Sequence, residues 1–447
     1  MEKVGRGLLF WAAEYGHCQI IRVLLEMGVP VDSRNDHGST SLHIAIRFNQ
    51  TLSIQTLLAA SAQVNVSTSE WVDDRASGRP VKPSTAETPF QLWFRFTPLE
   101  LPILRSLISA GENPNQYINA GQNTLLHWLS LHSPEEFSSH YEQMMKYLVS
   151  DGHARIDAPT EVEGRTPLEL AILSRNYRAM RILLAAEANP NCRETPGWNI
   201  QYACPLYLAV QRGDIYSVKL LLRANADPDG SGSFRPLVLA VQGRLYGIVE
   251  ALLSAGANPS VKVQYTGVTA LHAAVSSFAS SGRDIMQALL EAGADIESRT
   301  GFGETPLHLA AAELNVDALR LLLLSGAQVN SLSILDRTPI FYLFGWFCHR
   351  IHDLSQKLET AVNILVRAGT DVTIKDKHGE TVLDKVPIYS NVKQDHRSDV
   401  FSSCFRILFN AWEKALSSGG EVSWDWETVS IEVLKERYRI MKRQFDN

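Results

Sequence analysis

Two short stretches decide the fold, Thr305-Pro-Leu-His-Leu-Ala310 and Leu321-Leu-Leu-Leu-Ser-Gly326. The start of the first string and the closing residue of the second are 21 residues apart, and this spacing recurs in six copies. In four cases a further 12 residues lead to the next start, which gives a period of 33. Two agreeing sub-periods predict a tandem repeat of helical pairs. Eleven such strings begin at Gly7, Thr40, Thr88, Thr124, Thr166, Cys204, Arg235, Thr269, Thr305, Thr338 and Thr381.

The residue types at these positions predict the local structure of one unit. Thr followed by Pro provides a side-chain oxygen for the start of a helix and a first helical residue that needs no donor. The Leu and Ala residues recur at helical spacing, and Ala lets helices approach closely. Gly after the second apolar run suits a left-handed helix end. Asn113-Pro-Asn115 and Asn189-Pro-Asn191 then predict an extended segment and a turn.

This pattern resembles the ankyrin repeat family over roughly residues 5 to 390. The resemblance implies an all-α solenoid of helix-turn-helix units with hairpin loops. It also implies a concave surface, formed by inner helices and hairpin tips, that binds a partner without particular chemistry. We expect about ten full repeats and a partial capping unit in residues 1–418, then a joint and an amphipathic C-terminal helix in residues 419–447. The first unit, with Gly7-Leu-Leu-Phe10, departs from the pattern as a capping unit should.

Insertions interrupt the pattern on both edges. One long hairpin insertion occupies residues 66–87, and a shorter one occupies residues 193–203. Three others fall between the two helices of a unit, at residues 133–140, 278–282 and 348–356. Because insertions in repeats map to loops on one face, the two hairpin insertions are candidates for function.

Composition excludes several classes of protein. The 42 Lys and Arg against 48 Asp and Glu give a net charge of −6, so no basic face for nucleic acid is expected. The longest apolar stretch, residues 339–348, is about half the length of a membrane-spanning helix. Five cysteines without a Cys-x-x-Cys pair predict reduced thiols in an intracellular protein, cytoplasmic or nuclear. We therefore expect a protein partner, no membrane, and a monomer or one subunit of a hetero-complex.

The sequence predicts neither a catalytic site nor a cofactor or metal site. His43, His127, His272 and His308 share the fourth position of the repeat motif, where the resemblance implies a structural histidine bonded to the neighbouring hairpin backbone. Cys348, His349 and His352 have ligand-like types, but a zinc site needs four convergent ligands and no second pair is evident.

Aromatic and arginine residues that depart from the repeat consensus are the candidate partner-binding residues. These residue types are enriched at interface hot spots. Some follow the Leu-Ala pair of an inner helix, and the others lie in the two hairpin insertions. The set is Phe48, Trp71, Asp73, Asp74, Phe94, Arg95, Arg175, Trp198, Tyr202, Arg212 and Arg244.

Three functions stay open at this stage. The first is an intracellular scaffold or adaptor that binds protein through its concave face. The second is an atypical enzyme or small-molecule binder whose pocket is roofed by the loops 66–87 and 193–203; a buried carboxylate or histidine with a shifted pKa below them would favour it. The third is a regulatory or targeting subunit that recruits a complex through its C-terminal helix.

Overall fold

The structure, a computed structural model, describes residues 2–68, 72–74, 79–81, 87–97, 99–118, 123–132, 141–191, 204–230, 235–276, 281–344, 355–386 and 396–417. These residues form helices in series with short loops between them, and the fold class is the predicted ankyrin solenoid class. The chain divides into two compact units. Unit 1 contains residues 1–209 with 219–226, and unit 2 contains residues 210–218 with 227–447.

Unit 1 is built from consecutive helical pairs and one short hairpin. Its first helices pack on each other, α1 on α3, α3 on α5 and α7 on α9, and its second helices do the same from α2 to α10. The elements are α1 Glu2–Tyr15, α2 Cys18–Glu26, α3 Ser41–Arg47, α4 Thr51–Ala59, β1 Val72–Asp74, β2 Arg79–Val81, α5 Pro89–Phe96, α6 Leu101–Ser109, α7 Leu125–Leu131, α8 Tyr141–Ser150, α9 Pro167–Leu173 and α10 Tyr177–Ala185.

Unit 2 repeats this two-layer arrangement. The division between the units falls within α11 Pro205–Gln211 and α12 Ile215–Arg223. Helices α13, α15, α17 and α19 form one layer, and α14, α16, α18 and α20 form the other. The elements are α13 Pro236–Gln242, α14 Tyr246–Ser254, α15 Ala270–Val275, α16 Ser281–Glu291, α17 Pro306–Ala312, α18 Val316–Leu324, α19 Pro339–Tyr342, α20 Ser355–Arg367, α21 Val382–Lys385 and α22 His396–Ser417.

The predicted helix signals act as expected. The side chain of Thr166 accepts a hydrogen bond from the backbone N–H of Glu169, and Pro167 is the first helical residue. At the other end of a pair, Gly256 and Gly326 close their helices with φ of 87° and 93°, a conformation that costs a residue with a Cβ atom about 1 kcal/mol or more. Helices of seven to nine residues are too short to be stable alone, so stacking must hold them.

The 66–87 insertion adds short strands to an otherwise helical fold. Strand β1 pairs antiparallel with β2, with Asp73 opposite Pro80. At the base of the insertion the backbone N–H of Thr68 donates to the carbonyl of Glu87 over 3.0 Å. The insertion therefore leaves and rejoins the repeat at one point.

The apolar residues of 403–412 recur at helical spacing and predict an amphipathic helix that closes the stack, and the last described helix contains them. Residues 403–412 lie within α22, whose Phe405, Leu408 and Trp412 are buried and which packs on α20. The predicted joint and C-terminal helix at 419–447 lie outside the described residues.

Candidate partner-binding surfaces

The histidine at the fourth motif position is structural, as predicted. The Nδ1 atom of His308 accepts a hydrogen bond from the Thr305 backbone N–H (3.1 Å), and its Nε2 atom lies 3.0 Å from the Arg337 carbonyl in the next hairpin. Because an amide can only donate and a carbonyl can only accept, the ring is neutral and carries its proton on Nε2. The same two contacts recur at the three other histidines of the set, with Nε2 to carbonyl distances of 2.9 to 3.1 Å at His43, His127 and His272.

Burial keeps these rings neutral. It lowers the pKa of His43 and of His308 from 6.5 to about 4, and it lowers the pKa of His272 as well. The shifted histidines are thus explained by stacking of repeats rather than by catalysis.

An aromatic–arginine cluster lies on the first helices of unit 1. We use this name for Arg47 on α3, for Phe94, Arg95 and Phe96 on α5, and for Trp128 on α7. The guanidinium carbons of Arg47 and Arg95 lie 5.9 and 5.1 Å from the centre of the Phe96 ring. Phe94 meets Trp128 edge to face at 5.1 Å.

Two further contacts fix the cluster. Arg95 Nη1 donates to Glu87 Oε1 over 2.9 Å at the end of the 66–87 insertion, and Trp128 stacks on His132 at 4.3 Å. Phe96 is exposed, and so is half of the Arg95 side chain. By contrast Trp93, one residue before Phe94, is wholly buried and belongs to the core. The predicted residues Phe94 and Arg95 therefore lie next to each other on α5, where Phe94 is half-buried against Trp128 and Arg95 is exposed beside Phe96.

Other predicted residues lie elsewhere. Phe48 ends α3 and is exposed. Arg175, Arg212 and Arg244 are exposed in the turns between the two helices of their units, where Arg175 and Arg244 have φ of 55° and 56°.

The predicted residues in the insertions are described least. Asp73 and Asp74 lie on β1, and their side chains are not described. Trp71, Trp198 and Tyr202 lie outside the described residues. The same holds for Cys348, His349 and His352.

Unit 2 carries an apolar surface that the sequence reasoning missed. We call Tyr265, Phe302, Ile334 and Leu335 the tip stripe, because they lie at the tips of three successive hairpins. Tyr265 is 89% exposed and Phe302 is 74% exposed. Turn positions usually carry small or polar residues. Apolar residues at three consecutive hairpin tips are therefore the feature of the sequence that could have indicated this surface.

Backbone hydrogen bonds connect these hairpins. The N–H of Gly301 donates to the Thr266 carbonyl (2.8 Å), and the N–H of Ile334 donates to the Phe302 carbonyl (3.0 Å). The ladder continues from Lys377 N–H to the Leu335 carbonyl (3.1 Å). The apolar side chains of the stripe are therefore presented on an ordered backbone.

An ion pair ties the last two hairpins of this ladder together. Arg337 Nε lies 2.9 Å from Asp376 Oδ2. Burial of Asp376 opposes its ionisation. The hydrogen bonds from Arg337 and from the amides of His378 and Glu380 outweigh that effect and lower the pKa of the carboxyl group.

One buried carboxyl group is shifted in the opposite direction. Glu112 occupies the position after the helix-closing Gly, where other units have Ala188, Ala257 or Ala327. Burial raises its pKa from 4.5 to about 7, and its Oε2 atom is buried without a hydrogen-bond partner. The replacement of a small core residue by Glu accounts for this shift without an active site.

Two cavities lie at the helix surfaces. One of about 650 Å³ lies along α8 and α10 in unit 1, between Lys146, Arg178 and Ile182. The other, of about 560 Å³, lies in unit 2 at the start of α16, α18 and α20, with Arg283, Asp317 and Lys357 at its wall. Neither is lined by a predicted partner-binding residue.

The described residues include free thiols but no cluster of metal ligands. Within the described ranges, no three His, Cys, Asp or Glu side chains come together as a metal site would require. Cys18 and Cys404 are free thiols. The prediction that the cysteines are reduced is wrong for Cys204, which is disulfide-bonded. Spacing in the sequence could not show this pairing.

Comparison with known proteins identifies the family. A profile of three consecutive ankyrin repeats matches residues 1–68, 99–194 and 247–333, and a single-repeat profile matches residues 203–231. The first profile alone covers more than half of the chain. The chain belongs to the ankyrin repeat family. Membership supports a role in protein–protein interaction, as the sequence had predicted.

Relatives share the repeats over part of their length. The chain is 31% identical over 228 residues to the B-cell lymphoma 3 protein homolog of Mus musculus, covering 49% of this chain and 48% of that protein. It is 31% identical over 155 residues to the nuclear factor NF-kappa-B p105 subunit of Gallus gallus (33% and 15%). It is also 31% identical over 211 residues to the ankyrin repeat protein nuc-2 of Neurospora crassa (46% and 19%). The chain thus spans about half or less of these relatives.

The described helices differ from those that span a lipid bilayer. None of them combines the length and the apolar character that crossing a membrane requires.

Proposed function

We propose that this ankyrin repeat protein is an intracellular scaffold or adaptor, in the cytoplasm or the nucleus. It binds a protein partner through the concave face formed by its first helices and hairpin loops. The observation that carries this proposal is the aromatic–arginine cluster on three successive first helices. Packing of the core does not require exposed Phe and Arg at these positions, which supports a role for them in binding.

The geometry of the cluster favours binding for an entropic reason. A partner that orders a flexible arginine loses about 0.5–1.5 kcal/mol of affinity per side chain. Here Arg95 is already held between the Glu87 carboxylate and the Phe96 ring. Much of that cost is therefore met during folding.

The chemistry of the cluster suggests the kind of partner segment. Phe96 offers an apolar contact, and the guanidinium groups of Arg47 and Arg95 stand over its ring. An apolar side chain next to a carboxylate would find complementary groups at this site. Within unit 2, the tip stripe provides a second apolar contact surface by itself.

The test compares partners retained by the full chain and by variants. The double variant Arg95→Ala/Phe96→Ala removes the centre of the cluster while leaving the buried Trp93 in place. Leu52→Ala, at an exposed position on α4 in the other layer, is the matched control. We expect affinity purification with mass spectrometry to yield a stoichiometric partner with the wild type and the control. Loss of two hot-spot side chains should weaken that binding by at least about thirty-fold.

Two outcomes would contradict the proposal. One is a partner that binds the double variant as tightly as the wild type, which would place the interface elsewhere. The other is the absence of a stoichiometric protein together with a small molecule retained on purification, which would favour the alternative of an enzyme or small-molecule binder. A screen of the purified chain against metabolites, run in parallel, detects that case.

The regulatory alternative has a separate test. Deletion of residues 419–447 should abolish recruitment of a complex if the C-terminal helix is the recruiting element. Thermal melting of the same truncated chain shows whether this segment instead stabilises the last repeats. Cell fractionation of the full chain decides between cytoplasm and nucleus.

A further inference from the structure

The first helical pair presents an apolar face to solvent. On α1 the exposed residues recur at spacings of four, three and four, and on α2 at spacings of three and four, so each set forms one stripe. We call these two stripes the end face. It consists of Val4, Leu8, Trp11, Tyr15, Ile20, Val23 and Met27.

Comparison with other units shows what the end face corresponds to. Ile20 is the fourteenth residue of its repeat and is 40% exposed, whereas the equivalent Ser53, Ala179 and Ala318 are at most 2% exposed. Leu8 is exposed at the position where Pro306 is buried. In the later repeats within each unit, these positions are covered by the preceding helical pair. At Leu8 and Ile20 the end face therefore corresponds to a stacking surface, and no described element lies on it.

The end face differs from the polar outer surface that is typical of a capping unit. A terminal repeat needs a polar outer surface to stay in solution. Here large apolar residues occupy that surface. Trp11 is also ordered by ring contacts, at 5.3 Å from Tyr15 and 4.8 Å from His17, as an interface anchor would be.

The size of the end face matches what a dimer needs. Seven large apolar side chains exposing about half of their surface present on the order of 700 Å². Two such faces in contact bury on the order of 1,400 Å², within the range of stable, specific interfaces. A patch of this size exceeds what a monomer usually exposes.

Charge at the edge of the face is also self-complementary. Arg22 and Glu26 are exposed on one side of the α2 stripe, flanking Val23. If two copies of α2 lie antiparallel about a two-fold axis at the level of Leu24, Arg22 of one copy comes opposite Glu26 of the other. An isologous contact of this kind uses the same patch twice.

We propose that the end face is a homodimer interface, in which two copies of this chain associate through α1 and α2 about a two-fold axis. This differs from the sequence-based expectation of a monomer or a hetero-complex subunit. The dimer leaves the aromatic–arginine cluster on α3, α5 and α7 of each copy outside the interface.

Sedimentation velocity of the full chain over a range of concentrations tests the proposal. The wild type should sediment as a dimer at micromolar concentration. The double variant Leu8→Glu/Val23→Glu places four like charges in the apolar contact and should raise the dimer Kd by at least about a hundred-fold. Leu324→Glu, at an exposed apolar position on α18, is the matched control and should remain dimeric. Circular dichroism confirms that both variants keep the helical content of the wild type.

The proposal is overturned if the wild type is monomeric at every concentration tested. It is equally overturned if the double variant dimerises like the control. An end face occupied by another protein in a complex with a monomer of this chain would also refute it. Because Arg95→Ala/Phe96→Ala should still dimerise, failure of this proposal is distinguishable from failure of the partner-binding proposal.

Discussion

Replacing His308 by Gln should remove part of the acid sensitivity of the protein without removing the structural bonds of the histidine. Another repeat of the chain already has Gln in place of this histidine. Gln91 occupies the same motif position, accepts from the Thr88 backbone N–H at Oε1 (2.9 Å), and donates from Nε2 to the Tyr117 carbonyl (2.9 Å). A Gln side chain at position 308 can make the same two contacts, and it does not titrate.

The magnitude follows from the pKa. Burial lowers the pKa of His308 from 6.5 in the unfolded chain to about 4 in the folded protein. Between these values the unfolded state binds more protons, so stability falls as the pH falls. At about pH 5 this loss amounts to about 2 kcal/mol relative to about pH 7.5, since each pH unit contributes about 1.4 kcal/mol.

The assay is urea unfolding at both pH values for the wild type and for His308→Gln. Other groups titrate in this range, so the informative quantity is the difference between the two pH-dependent losses. The variant should lose about 2 kcal/mol less than the wild type on acidification. His43→Gln, in unit 1, should behave in the same way and add to the first effect.

Two results would refute the reasoning. One is an equal acid-induced loss in the wild type and in His308→Gln. The other is an NMR titration in which His308 of the folded protein protonates near 6.5, or in which its neutral form carries the proton on Nδ1. Either result would mean that the buried ring is not held as the hydrogen bonds require.

Four further substitutions test other parts of the structure. Glu112→Ala should stabilise the protein by up to about 3 kcal/mol at about pH 8, because the raised pKa makes ionisation of Glu112 costly only in the folded state. This gain in the free energy of unfolding should shrink toward pH 4.5. Urea unfolding that shows a larger gain at low pH would contradict the prediction. Glu187→Gly should raise the melting temperature, because Glu187 has a left-handed φ of 64° whose strain of about 1 kcal/mol glycine does not pay. Gly256→Ala should lower the melting temperature for the same reason. Opposite shifts for the two variants would contradict the strain argument. Asn176→Ala should lower the free energy of unfolding by about 2–4 kcal/mol, as measured by chemical denaturation. The buried amide of Asn176 donates to the carbonyl of His132 over 2.9 Å, and its oxygen caps α10. A loss below about 1 kcal/mol would show that water replaces these hydrogen bonds.

The sequence predicted much of the fold because the repeat imposes the same backbone demands in each unit. Thr at the helix start, Pro after it and Gly at the end of the second helix each answer a local requirement, so their spacing locates helices directly. Helix α22 was predicted for a related reason, since its apolar residues recur at helical spacing. The number of full repeats stays a prediction.

Side-chain exposure was harder to predict because it depends on stacking. Trp93 and Trp128 are both aromatic departures from the consensus, yet the first is wholly buried and the second is half-buried against Phe94. The tip stripe was missed because Phe302 and Tyr265 lie in turns, where a single apolar residue carries little information. Only the alignment of adjacent hairpins makes them one surface.

The residues of the aromatic–arginine cluster occupy defined positions within the repeat. The Leu and Ala positions that contact the neighbouring unit must fit the same positions one repeat away, so they vary little. The next two residues, at the end of a first helix, lie outside this core contact, although Arg47 stands over the Phe96 ring of the next unit. Two successive units carry the same dipeptide there, Arg47-Phe48 and Arg95-Phe96. Burial of the core does not demand this repetition, so we propose that partner recognition favours it. Substitution of both dipeptides should then weaken binding more than substitution of either one.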